Sequence, residues 1–242
     1  MWNIRYAKEK KEVFKNPILV DGLLDYGNIG KIAVDYIIKL LKAEKFCELY
    51  PSSIPNLIFI NDENLIELPM IEMFCKKMED KTLFFLTGDT HLLDDETSYE
   101  FCDTILEVVQ EFKAQEIITI GSITLQQPPK NPKVYCTGNK KENVELYSSY
   151  GVNTDLHGVS SIIGISGLLT GLAGRRKIPS VSLLAETSED SPSIESVYSI
   201  IEILNKRLNL ELDPKEFSKE IEILKKIKPE QDKKDPDVSY IG

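Results

Sequence analysis

His91 and His157 are the two histidines among 242 residues. His91 follows "TGDT" at the close of a strongly apolar run, and His157 sits in "NTDLHGVSS". Asp25, Asp89, Asp94, Asp95 and Asp155 also occupy short segments between apolar runs. An imidazole beside a carboxylate is an acid/base pair, because the carboxylate orients the ring and stabilises its charged form. His157 with Asp155 could be such a pair. In α/β proteins such groups work from loops at the C-terminal ends of strands. The spacings that would fix a mechanism are missing: there is no H-E-x-x-H and no G-x-S-x-G. Ser166, in "GIS", falls inside a helical run and not on a strand-to-helix elbow. No catalytic set, metal site or cofactor is therefore assigned.

Phosphate chemistry has two other candidates. "DGLLDYGNIGK" reads as a strand end, a glycine turn and a helix start, and helix N-termini favour anions. It is neither G-x-G-x-x-G nor G-x-x-x-x-G-K-[ST], and Lys31 follows Gly30 without the rest of a Walker motif. A structural βα turn, with Gly27 or Gly30 supplying backbone freedom, is the simpler reading. Arg175 and Arg176 close a helical run, where cations complement the helix dipole.

"GISGLLTGLAG" carries Gly164, Gly167, Gly171 and Gly174 at spacings of 3, 4 and 3. On a helix these fall within about 80° of one another, on one face. Each costs on the order of 1 kcal/mol relative to alanine, so four together need a reason. They would let a strand, a helix, a ligand or a second subunit approach the backbone closely.

The elements that must position these residues are legible from periodicity. "NPILVDGL", "FCELY", "NLIFIND", "KTLFFLTGD", "EIITIGSI", the segment near Val134 and "IPSVSLLAET" read as strands. "LIELPMIEMFCK" reads as extended segments, because Pro69 opposes a continuous helix. Helices are expected in "IGKIAVDYIIKLLKAE", in "TSYEFCDTILEVVQEFK", in the glycine run and in "SPSIESVYSIIEILNKRL". Phe101, Cys102, Ile105, Val109 and Phe112 should face inward on the second of these. Ser191 and Pro192 are expected as N-cap and first turn of the last. Apolar strands without alternation, separated by amphipathic helices, imply an α/β fold with a mostly parallel sheet covered on both faces. One domain is expected over residues 1–212. A C-terminal helix and tail follow over 213–242, with Asp213 and Glu216 at capping-box spacing and Phe217, Ile221, Leu224 and Ile227 as its stripe.

Composition narrows the partners. The net charge is −10, which opposes binding to nucleic acid or anionic membrane. Val159 to Ala173 is too short and glycine-rich for a membrane span. The start has no apolar core of a secretory signal, and Cys47, Cys75, Cys102 and Cys136 form no C-x-x-C. Reduced thiols in a cytoplasmic protein are expected.

The chain closes on "DPDVSYIG" after the highly charged "KKIKPEQDKK". A polar tail that only aided solubility would not need Val238, Tyr240 and Ile241. They suit apolar pockets on a partner, with the carboxylate after Gly242 meeting a basic group there. The stripe on the preceding helix calls for a neighbouring subunit, so a homo-oligomer is expected.

"PILVDGLLDYGNIGKIAVDYII", "FFLTGD", "IITIGSI", "GISGLLTGLAGRRKIPSVSLLAET" and "PSIESVYSIIEILNKRLNLELD", in that order over roughly residues 16–212, resemble the archaeal proteasome assembly chaperone family. The resemblance implies a fold similar to purine nucleoside phosphorylases. It also implies an ATP-independent chaperone that binds proteasome α-subunits through C-terminal tails of a homo-oligomer, a tetramer or pentamer. Related activators end in hydrophobic–Tyr–any residue, whereas here Tyr240 is third from last, a shift of one position. The alternative is an enzyme on the phosphorylase-like fold, or under the ATP-grasp label some members carry, acting on a nucleoside or phosphate-bearing substrate.

Overall fold

The computed structural model describes residues 2–7, 13–24, 27–50, 58–61, 63–89, 94–127, 129–156, 159–188 and 193–213. Along the chain run β1 (Asn3–Tyr6), β2 (Pro17–Asp21), α1 (Ile29–Leu41), β3 (Glu44–Tyr50), β4 (Phe59–Ile60) and β5 (Ile66–Glu67). Next come β6 (Ile71–Lys77), β7 (Thr82–Gly88), α2 (Asp95–Glu111), β8 (Glu116–Leu125) and β9 (Val134–Gly138). α3 (Lys141–Ser148), α4 (Ile165–Arg175), β10 (Ser180–Ser188) and α5 (Ile194–Leu208) complete the set. The helix expected over 214–227 and the tail beyond it lie outside the described residues.

Eight strands form one sheet in the order β1-β3-β6-β7-β2-β8-β10-β9. Its centre is parallel: β2 pairs with β7 and β8, and β8 with β10. Antiparallel strands flank it, β6, β3 and β1 on one side and β9 on the other. The central strands are buried on both faces, which is why they read as unbroken apolar runs. Val20, Phe85, Ile118 and Leu183 point into a core shared with α1 and α5. Leu19, Phe84, Leu86 and Ile117 point into a second core beneath α2 and α4. Phe101, Cys102, Ile105, Val109 and Phe112 are all buried in that second core.

Aromatic rings hold the antiparallel flank to this second core. Phe84 and Phe112 stack at 5.1 Å, and Phe14 and Phe46 meet them edge to face at 4.9 to 5.2 Å. Such pairs add to burial because the ring edge is positive and the face negative.

Two details differ from the sequence reading. α5 starts at Ile194, with Ser193 and not Ser191 as its N-cap; the Ser193 hydroxyl accepts from the Ser196 N–H at 3.2 Å. Ser193 places its hydroxyl on a free first-turn N–H, which is what an N-cap does. "NLIFIND" contributes only Phe59–Ile60 as strand among the described residues, and that strand pairs with β5, outside the main sheet.

Candidate functional site

The C-terminal ends of β2, β8 and β10 open into a crevice of about 790 Å³. Its floor includes Asp21, which closes an otherwise apolar strand and is 1% exposed. The Asp21 Oδ1 accepts from the Leu23 N–H at 3.2 Å. Leu23, Leu24, Ile120, Ile123 and Ile162 supply the apolar walls, and Asn28, Ser122, Ser161 and Ser166 the polar points.

Two helices begin at this crevice. α1 starts after Gly27 and Asn28, both with positive φ, and α4 starts after Gly164 at φ 104°. Neither N-cap makes a side-chain hydrogen bond, and neither first turn holds an acidic residue. The first-turn N–H groups and the positive ends of both helices are thus available to the crevice. α1 can start so close to the strands because a Cβ on Gly22 would meet the Gly30 carbonyl oxygen at 2.6 Å.

α4 rests on the sheet through hydroxyls. The hydroxyls of Thr119, Thr170 and Ser182 lie within hydrogen-bond distance of one another, 2.7 to 3.2 Å, and that of Thr119 also lies 3.1 Å from the Ser166 carbonyl oxygen. All three residues are buried, and the ring of bonds satisfies groups that burial would otherwise penalise.

The candidate residues separate in space. Lys31 sits away from the crevice, with Nζ 2.8 Å from both Asp35 and Asp89. Burial works against its ammonium, but the hydrogen bonds to the two carboxylates outweigh it and raise the pKa. Asp35 also accepts from the Thr87 hydroxyl at 2.6 Å. Lys31 and Asp89 therefore fasten α1 to the end of β7. Asp94 is the N-cap of α2, accepting from the Thr97 N–H at 2.7 Å, and Asp95 lies in that helix's first turn. Arg176 ties α4 to α2 through Asp103 and Gln110, each at 2.8 Å. Asp155 is exposed and does not line the crevice. Asp25, His91 and His157 lie outside the described residues, as do Val238, Tyr240, Ile241 and Gly242.

The four glycines also differ from one another. A Cβ on Gly167 would meet Ile162 at 2.8 Å, and one on Gly174 would meet Asn139 at 3.2 Å. Gly164 precedes the helix at positive φ, 104°. Gly171 is exposed, and among the described residues a Cβ there would meet nothing within 4 Å.

The sequence reading missed Asp21 and the hydroxyl ring. Asp21 had a signal, a carboxylate ending a buried strand. Thr119 and Ser182 had none, since hydroxyls in a strand normally read as an exposed face. Among the described residues no group of three or more His, Cys, Asp or Glu could hold a metal ion, and no helix is long and apolar enough to cross a membrane.

A layered α/β protein with its crevice at the strand C-terminal ends is the class that this geometry defines. The chain matches the model of the PAC2 family over residues 19–232 and belongs to that family. Among solved structures it is similar to PbaB of Pyrococcus furiosus, an archaeal proteasome activator. The two are 26% identical with a TM-score of 0.84, covering 96% of this chain and 99% of that one. PbaA of the same organism, an archaeal homolog of proteasome-assembly chaperone, is 22% identical with a TM-score of 0.76 over 93% of each chain. An uncharacterized protein of Methanocaldococcus jannaschii is 25% identical over 245 residues, 96% of this chain and 94% of that one.

Proposed function

We propose that this chain is an ATP-independent cytoplasmic chaperone that assists assembly of the archaeal proteasome core particle. It acts as a homo-oligomer, and its C-terminal tails bind α-subunits through Val238, Tyr240, Ile241 and Gly242. The observation that carries this reading is the likeness to PbaB over nearly the whole of both chains. The tail composition supports it, because three apolar residues end a stretch that is otherwise charged and turn-forming. A single tail offers few anchors, so several tails on one assembly would bind through effective concentration. Gly171, exposed on α4, and Gly164, exposed at the N-cap two turns earlier, fit a contact surface between subunits.

The test is capture by immobilised recombinant α-subunits, free and as assembled core particle, without nucleotide. The full chain should be retained by free α-subunits, and a chain lacking residues 229–242 should not. Retention by the assembled particle alone would make the protein an activator and not an assembly factor.

One observation favours an enzyme instead: the crevice holds a buried carboxylate and two helix N-termini at the usual ligand position of α/β folds. That reading requires nucleotide or nucleoside turnover, and binding to α-subunits that depends strictly on ATP would support it.

A further inference from the structure

We propose that the segment after α5, residues 214–227, docks as a helix in the groove between α1 and α5 of its own chain, and so starts the tail at the crevice end of the sheet. The inference goes beyond the chaperone reading and does not depend on the client.

The groove is lined by Tyr36 and Leu40 of α1 and by Tyr198, Ile201 and Asn205 of α5. Tyr36, Leu40 and Tyr198 are half-buried. The chain itself enters this groove. Asn209 and Glu211 take left-handed φ angles of 49° and 57°, which turn the backbone away from the axis of α5. Asn205 then holds Leu212 on both sides: its Nδ2 donates to the Leu212 carbonyl at 3.0 Å, and its Oδ1 accepts from the Leu212 N–H at 3.1 Å. Leu212 thus lies level with Asn205, about a turn back from the end of α5, so the backbone has already reversed. Asp213, the last described residue, also lines the groove.

The sequence that follows supplies a matching occupant. Asp213 and Pro214 suit an N-cap and first turn. On a helix Phe217, Ile221 and Leu224 fall within about 60° of one another, while Lys219, Glu222 and Lys226 fall on the other side, toward water. A short connection, residues 209–213, joins helices as antiparallel neighbours, so this one runs back along α5. Phe217 follows closely on the tethered Leu212, and no free partner or second copy reaches the local concentration of a segment held this near. The net charge of −10 further disfavours a second copy. The stripe that called for a neighbouring subunit is covered within the chain, leaving any oligomer to form through other surfaces.

Length fixes where the tail begins. Residues 214–227 span about 21 Å as a helix, close to the roughly 22 Å of α5. α5 runs from the crevice end of the sheet, after β10, to the opposite end, where Arg207 meets Glu116. The returning helix therefore ends beside the start of α5. The tail over residues 228–242, with an extended reach on the order of 50 Å, leaves from the crevice side.

Two measurements on the full chain test this. In amide hydrogen exchange of the wild-type protein, residues 218–227 should exchange about tenfold or more slowly than residues 229–242. Equally fast exchange in both would overturn the docked helix. Next, Tyr198→Cys/Ile221→Cys is treated with a short bifunctional thiol reagent beside each single variant, with melts to show that all fold. Peptides holding positions 198 and 221 should be joined while the chain keeps its 27.5 kDa protomer mass under denaturing conditions. The same link between two chains would give the stripe to a second copy, and no link in a variant that melts like wild type would separate the segment from the groove; either overturns the proposal. If the double variant melted early, the surface pair Glu202→Cys/Glu220→Cys is read by the same criterion. Neither measurement involves α-subunits, so failure here and failure of the chaperone reading are told apart.

Discussion

Arg207, in the last turn of α5, reaches back 91 residues to the carboxylate of Glu116, the first residue of β8. Tyr147 from α3 donates to the other oxygen of Glu116 at 3.0 Å, and the guanidinium lies 5.5 Å from the Tyr147 ring centroid. Three elements that are distant in sequence are thereby fastened at the end of the sheet opposite the crevice. The Glu116 side chain is 7% exposed and that of Arg207 is 20% exposed. Removing one partner of such a pair leaves a buried charge unmatched, so Arg207→Ala should cost about 3–5 kcal/mol in urea melts. A loss under about 1 kcal/mol, the range of an exposed pair, would contradict the assignment.

The same carboxyl should leave a mark on pH dependence. Burial raises its pKa, against the lowering by Arg207 and by the Tyr147 hydroxyl. The folded state therefore holds this proton to higher pH than the unfolded chain does. The stabilisation from that proton is complete below about pH 4.3, the ordinary glutamate value, and is lost as pH rises through the raised folded pKa. Relative to Glu116→Gln, the wild-type chain should thus be most favoured near pH 4 and progressively less so on the way to neutrality. A difference that grew with pH would mean that Arg207, and not burial, dominates the site.

Leu86, on β7, is fully buried in the core beneath α2 and α4. Leu86→Asp should cost several kcal/mol, because a carboxylate there has neither water nor a partner. A melt like that of wild type would refute the core assignment.

The glycines of α4 should respond unequally. Gly167→Leu adds bulk where Ile162 and its carbonyl oxygen already lie at 2.8 and 3.0 Å from a Cβ, and overpacking of this kind costs roughly 1–3 kcal/mol. Gly171→Ala meets open space and gains helix propensity, so stability should rise by up to about 1 kcal/mol. Equal effects at both positions would show that α4 does not sit on the sheet as described.

Of the four thiols, Cys47, Cys102 and Cys136 are buried, and burial pushes Cys136 up to about 12 and Cys102 higher still. Thiolate is the reactive form, so a thiol reagent at neutral pH should label Cys75, the half-buried one, before the others. Rapid labelling of all four in the native protein would contradict the burial.

What the sequence could reveal follows from which forces are local. The central strands were legible because burial on both faces leaves continuous apolar runs, as in Leu83–Leu86 and Ile117–Ile120. α2 was legible because its buried positions recur with helical period. The antiparallel flank was legible as extended segments, in "FCELY" and "LIELPMIEMFCK", but its pairing was not, since that is set by neighbours far along the chain. Glu116 with Arg207, and Lys31 with Asp89, were illegible for the same reason: each charge finds its partner only after the sheet has formed. The crevice showed through its glycines, while Asp21 on its floor was passed over as the polar end of an apolar run.

The tail carries the central claim, and Tyr240 is its largest side chain, with an apolar ring and a polar hydroxyl of the kind that dominates small interfaces. The most direct measurement is the affinity of the full chain for recombinant proteasome α-subunits without nucleotide, beside that of Tyr240→Ala and of a chain lacking Ile241–Gly242. The account predicts that both changes weaken binding at least tenfold while melts and oligomer mass stay as in wild type. Unchanged affinity in both variants would contradict it.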